Sequence, residues 1–133
     1  MGSRHRAREA ALKILYQSDL LKDDDIGRII EDHLAEGPEA GVAREFVERL
    51  VRGVMEHRPE IDAKLGEVLH RWDPGRLGFL ERTILRLGLY EMLFDPETPD
   101  KVAIDEAVEL AKTFCDAESA GLINGALDKA LRD

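Results

Sequence analysis

The sequence predicts an all-α fold, and three observations carry that prediction. Apolar residues recur at i, i+3, i+4 and i+7 spacing through nearly the whole chain, the signature of amphipathic helices. No stretch shows the strict alternation of a half-buried strand. The breaks between periodic runs are short and rich in Gly, Pro and Asp, which end helices without opening long linkers. The 133 residues are 44% hydrophobic and 35% charged, enough for one domain with a real core. Only 5% are aromatic, so aliphatic side chains must fill it.

The first helix runs through RHRAREAALKILYQSDL (4–20). Ala7, Ala10, Ala11, Ile14, Leu15 and Ser18 form its stripe, Leu21 extends it, and Ser3 is a candidate N-cap. Asp23, Asp24 and Asp25 end it and can cap a second helix striped by Ile26, Ile29, Ile30 and Leu34, which Gly37-Pro38 breaks. A third helix over 39–57 turns Ala43, Phe46, Val47, Leu50, Val51 and Val54 inward. Pro59 suits the first turn of a fourth, whose face is Ile61, Leu65, Val68, Leu69 and Trp72. After the turn at Asp73-Pro74-Gly75, residues 76–94 are apolar on most sides, as befits the centre of a bundle. A sixth helix over about 102–114 buries Ala103, Ala107, Leu110, Ala111 and Phe114. CDAES connects it to a last helix over about 119–132, striped by Leu122, Ile123, Ala126, Leu127 and Ala130.

The chemistry of catalysis is missing. Phosphate-loop, dinucleotide, serine-elbow and zinc-helix patterns are all absent. The lone cysteine, Cys115, excludes an internal disulfide, fits a reducing cytosol and has no catalytic setting. Glu67-Val68-Leu69-His70 is a single Glu-x-x-His where a di-iron bundle needs two, so it reads as a solvated pair. The three aspartates at 23–25 lack calcium-loop spacing. Asn124-Gly125 is costly inside a helix, and it reads as a structural pair: Gly125 a close helix contact, Asn124 a buried or capping hydrogen bonder. No apolar run is long enough for a membrane span, and Met1 is not followed by the apolar region of a secretory signal.

The first helix begins with the wrong charge. The chain carries a formal −9, yet Arg4, Arg6 and Arg8 sit where the macrodipole is already positive. Arginine forks beside the free N–H groups of a helix start make a phosphate site. Charge alone balances that reading against a frayed, solvated terminus.

Four stretches break the balance: RHRAREAALKILYQSDL (4–20), LERTILRLGLYEML (80–93), PDKVAIDEAVELAKTF (99–114) and SAGLINGALDKAL (119–131). In this order they resemble the bacterial NusB family of transcription antitermination factors. The resemblance implies seven helices in one domain, residues 1–133, made of two small bundles, helices one to three and helices four to seven. It implies a cytoplasmic, non-catalytic protein without cofactor or metal. Its partners would be boxA-type leader RNA, above all of ribosomal RNA operons, the small-subunit ribosomal protein NusE, and with them other Nus factors and RNA polymerase. Relatives occur as monomers and as homodimers. The resemblance makes Arg4, His5, Arg6 and Arg8 an RNA-binding motif, with about three phosphate contacts and a salt slope near −2 for single-stranded RNA. It makes Glu118, Ser119 and Leu122 a second RNA-contact region. Tyr16 and Glu81 fall on the NusE side. Where many relatives have a basic residue and a phenylalanine before the Asn-Gly pair's apolar neighbour, this chain has Gly121 and Leu122, so one charge and one stacking arene are missing. Two alternatives belong to other classes. One is the NusB-like domain of a ribosomal RNA cytosine methyltransferase, which needs a further catalytic domain; the other is a module that binds protein only.

Overall fold

The computed structural model describes residues 3–35, 43–69 and 77–132. Among them lie seven helices and no strand: α1 (Ser3–Leu21), α2 (Ile26–Ala35), α3 (Arg44–Glu56), α4 (Arg58–Leu69), α5 (Phe79–Phe94), α6 (Asp100–Phe114) and α7 (Ala117–Arg132). Gly37-Pro38, His70, Trp72 and Asp73-Pro74-Gly75 fall outside the described residues. The chain divides into two compact units, Met1–Glu56 and His57–Asp133.

In the first unit α1 packs on α3 and α2, and α2 on α3. Its core is Ala7, Ala10, Ala11, Leu12, Ile14 and Leu15 of α1, Ile29 and Ile30 of α2, and Val47, Leu50 and Val51 of α3. The alanines let α1 lie close to its neighbours, and the branched residues fill the remaining space. Leu21 does not extend the stripe: it is 64% exposed, because α1 ends there and Lys22 turns the chain with φ 54°. Ser18 closes the turn by donating its hydroxyl to the Asp23 carbonyl at 2.6 Å. The three aspartates serve the next helix. Asp25 Oδ1 accepts the Arg28 N–H at 3.3 Å, and the Arg28 guanidinium reaches both Asp23 and Asp32.

In the second unit α5 packs against α4, α6 and α7, as its all-round apolarity predicts. Ile84, Leu85, Leu87 and Leu89 are buried, while the two ends, Phe79 and Leu93, are exposed. Asp62 of α4 accepts Arg58 Nε at 3.1 Å and Arg86 Nε at 2.8 Å, tying α4 to α5. α6 starts earlier than its stripe suggests, with Pro99 as N-cap residue. α7 also starts two residues early, because the Asp116 carboxylate accepts the Ser119 N–H at 2.8 Å and caps it.

The Asn-Gly pair overturns its structural reading. Asn124 and Gly125 are both exposed, and a Cβ on Gly125 meets nothing within 4 Å. The close helix contact lies at Gly88 instead. A Cβ there would stand 2.8 Å from Leu127 Cδ1 and 3.4 Å from the Ala107 Cβ. Gly88 is therefore a position where α5, α6 and α7 approach closely.

Candidate nucleic-acid interface

α1 has no acidic residue in its first turn. Its periodicity divides the basic cluster. Arg4 and Arg6 are exposed. Arg8 is only 5% exposed, since it shares a face with Ala11, Leu12 and Leu15, all buried. Arg8 thus does not face solvent as Arg4 and Arg6 do. Its guanidinium lies 5.2 Å from the centre of the Phe46 ring on α3. His5 is half-buried, with Nε2 3.5 Å from Glu9 Oε2, one turn along the helix.

Phe46 gathers more than Arg8. The Arg4 guanidinium lies 4.8 Å from the ring centre and that of Arg49 lies 5.0 Å from it, so three arginines from two helices share one arene. Contacts of this kind contribute about 0.5–2 kcal/mol each, more as they are desolvated. Arg4, Phe46 and Arg49, with Ala43 and Glu45, line a surface cavity of about 380 Å³. Sequence reasoning placed Phe46 in the core and passed over Arg49. The signal was present: Phe46 and Arg49 are one turn apart on α3, as Arg4 and Arg8 are on α1.

In the second unit Glu81, Asp116, Glu118, Ser119, Leu77 and Leu122 line another cavity, of about 170 Å³. Ser119 Oγ donates to Glu81 Oε2 at 2.9 Å, which brings together a residue expected on the RNA side and one expected on the NusE side. Hydrogen bonds from Ser119, its backbone N–H first, hold the Asp116 carboxyl below the usual aspartate range. Burial, then the charges of Glu81 and Asp116, push the Cys115 thiol up to about 11, so it is a protonated, unreactive neighbour of this cavity. Three carboxylates, Glu81, Asp116 and Glu118, make its lining acidic. Tyr16 is half-buried on α1 and belongs to the first unit, whereas Glu81 belongs to the second. Among the described residues no cluster of His, Cys, Asp and Glu could hold a metal ion, and no helix is long and apolar enough to cross a membrane.

The model of the NusB family matches residues 5–132. The chain belongs to the NusB family. It is 44% identical over 129 residues to the transcription antitermination protein NusB of Lysinibacillus sphaericus, an alignment covering 95% of this chain and 94% of that one. The Geobacter sulfurreducens protein of the same name is 41% identical over 130 residues, covering 97% and 94%. This is a family of antitermination factors, not of enzymes. Its fold is that of solved NusB structures. T. maritima NusB superposes with a TM-score of 0.84 at 35% identity, covering 98% of this chain and 91% of that one. A structure of antitermination factors NusB and NusE in complex with dsRNA gives 0.83 at 27% identity, covering 99% and 98%.

Proposed function

We propose that this NusB-family chain is a cytoplasmic RNA-binding antitermination factor that binds boxA-type leader RNA jointly with NusE. The pair would then join other Nus factors and RNA polymerase and support transcription of ribosomal RNA operons. The observation that carries this reading is the pair of exposed guanidiniums, Arg4 and Arg6, at the start of a helix with no acid in its first turn. The helix start and the forks favour phosphate together. The complex of a relative with NusE and RNA supports the choice of partners.

The mechanism is assembly rather than turnover, and it calls for no cofactor or metal. Arg4 and Arg6 hold phosphates, His5 supports the helix start, and Arg8 acts as a positioning residue beneath Phe46. Tyr16 and Glu81 meet NusE, each on its own unit. The carboxylates around Glu81 suit a basic side chain of that partner. Glu118 repels phosphate, so RNA reaching Ser119 and Leu122 would touch them with a base or sugar. With a formal charge of −9, the chain alone binds RNA weakly, and NusE supplies part of the positive field.

Fluorescence anisotropy with labelled boxA RNA and a scrambled control, with and without NusE, tests this. An Arg4→Ala/Arg6→Ala variant should lose about tenfold or more in affinity and flatten the salt slope by about 1.4. Unchanged affinity for boxA RNA in the presence of NusE refutes the reading. Binding of NusE without any RNA response would establish a protein-only module instead.

A further inference from the structure

We propose that Phe46 is a positioning residue for RNA binding: its buried ring on α3 holds the Arg4 guanidinium at the start of α1, so that a second helix sets where this phosphate ligand stands; this rests on the RNA-binding reading above. Arg4 is the second residue of α1 and exposed, at a place where helices ordinarily fray and a long side chain samples many rotamers. Its guanidinium nonetheless lies 4.8 Å from the centre of a ring that is 7% exposed and belongs to another helix of the same compact unit. The ring is itself braced. The guanidiniums of Arg8, buried, and Arg49, half-buried, lie 5.2 and 5.0 Å from its centre, and both residues have further partners. Those two belong to the frame, and Arg4 is the exposed one of the three.

The kind of contact matters. A carboxylate would take N–H donors from the guanidinium and cancel its charge. An arene attracts the cation through its quadrupole and does neither. Arg4 therefore meets a phosphate with its charge intact and its rotamer already restricted. Ordering a loose arginine at an interface costs about two- to tenfold in affinity, and the ring removes that cost. Glu45 adds to the argument: it is exposed in the first turn of α3 and lines the same cavity as Arg4 and Phe46. An Arg4 side chain released from the ring has this carboxylate in the same cavity to pair with, which withdraws it from RNA. Arg6 is exposed too, but two residues on it sits about 200° round the helix from Arg4. Phe46 thus acquires a signature: it couples to Arg4 and not to Arg6.

Anisotropy titrations with labelled single-stranded boxA RNA and NusE, at several salt concentrations, test this on variants of the ring. A trifluorinated phenylalanine at position 46 keeps the ring's shape and drains its π face. It should weaken binding about threefold or more with the salt slope unchanged, because no charge is lost. Phe46→Leu should weaken binding about two- to tenfold, and Phe46→Tyr, which keeps an arene, should bind within about twofold of the parent. In an Arg4→Ala background fluorination should change affinity less than about 1.5-fold, whereas in an Arg6→Ala background its full effect should persist. A ring that serves only the packing of its unit would lower affinity alike in all three backgrounds. That result, or a fluorinated ring that binds RNA as the parent does, overturns the proposal. The fluorinated ring fills nearly the same volume, so its cycle stays readable even where Phe46→Leu lowers the melting temperature. If Arg4→Ala/Arg6→Ala loses binding and only the coupling to Phe46 is missing, the RNA reading stands without the positioning role. If that double variant binds normally, the underlying reading falls and the proposal with it.

Discussion

Gly88 and Gly125 make opposite predictions for the same substitution. Alanine is favoured over glycine in a helix interior by about 1 kcal/mol, and both glycines lie inside helices. At Gly125 the new methyl group meets open space, so Gly125→Ala should gain close to that full amount. At Gly88 the methyl would press on Leu127 Cδ1 at 2.8 Å. Leu127 is fully buried and cannot swing away, and Ala107 closes the other side at 3.4 Å. Overpacking costs about 1–3 kcal/mol, and with both neighbours fixed it falls in the upper half of that range, about 2–3 kcal/mol, above the propensity gain. Gly88→Ala should therefore lose about 1–2 kcal/mol net, and the two variants should differ by about 2–3 kcal/mol. For a chain of this size that is a separation of roughly 10 °C in melting temperature, readable by circular dichroism or urea unfolding. A Gly88→Ala protein as stable as the parent, or a Gly125→Ala protein less stable, would refute this account of how α5, α6 and α7 pack.

Arg8 and the two exposed arginines should separate in the same assay. Arg8→Ala strips a buried side chain from Phe46 and should cost about 1–2 kcal/mol of stability, whereas Arg4→Ala/Arg6→Ala stays within about 0.5 kcal/mol of the parent. Equal melting temperatures would deny Arg8 its positioning role. Cys115, with its thiol raised to about 11, should react with iodoacetamide about a hundredfold more slowly than a free thiol near pH 8, and the rate should climb only in strongly alkaline buffer. Fast labelling at neutral pH would count against a protonated thiol there. Asp116→Ala should lower the melting temperature by uncapping α7. Because the folded carboxyl titrates below its unfolded value, the stabilisation is present above the ordinary aspartate range and fades as pH falls through it. The deficit of the variant should shrink in acid, and a deficit that persists there would point to packing instead.

The helices were legible because their stripes are long and aliphatic, and Ile84 or Leu127 has no alternative but burial. Their ends were less so. Nothing in the apolar period marks Asp116 as a cap, since its role depends on a single carboxylate–amide bond. Propensity flagged both residues of Asn124-Gly125 as costly, but only the packing of α5 could show that the tight contact needs Gly88 instead. At the candidate site the sequence exposed a cluster of charge without dividing it. Arg8 falls in phase with Ala11, Leu12 and Leu15, which sets its burial apart from that of Arg4 and Arg6. Arg49 stayed hidden because an arginine flanking a helix stripe usually means solvent, and only the shared arene on α3 ties it to α1.

On the proposed function, the division of these arginines explains how an acidic chain would present a site for RNA. A net charge of −9 repels a polyanion at long range, but that repulsion is screened over about 8 Å at physiological salt. Within that distance a phosphate is governed by its immediate neighbours, and at the start of α1 these would be the exposed guanidiniums of Arg4 and Arg6. The arrangement therefore favours contact over capture. Near 0.1 M salt, affinity should follow these local contacts, with a salt slope set by the number of phosphates they hold. Near 0.01 M the screening length grows to about 30 Å, the whole acidic surface comes into view, and the rise in affinity of the chain alone should level off. NusE should restore the rise if it contributes the missing positive field. A chain that by itself gains affinity linearly down to the lowest salt would show instead that its global charge does not oppose RNA, and would remove the electrostatic reason for a second protein at this interface.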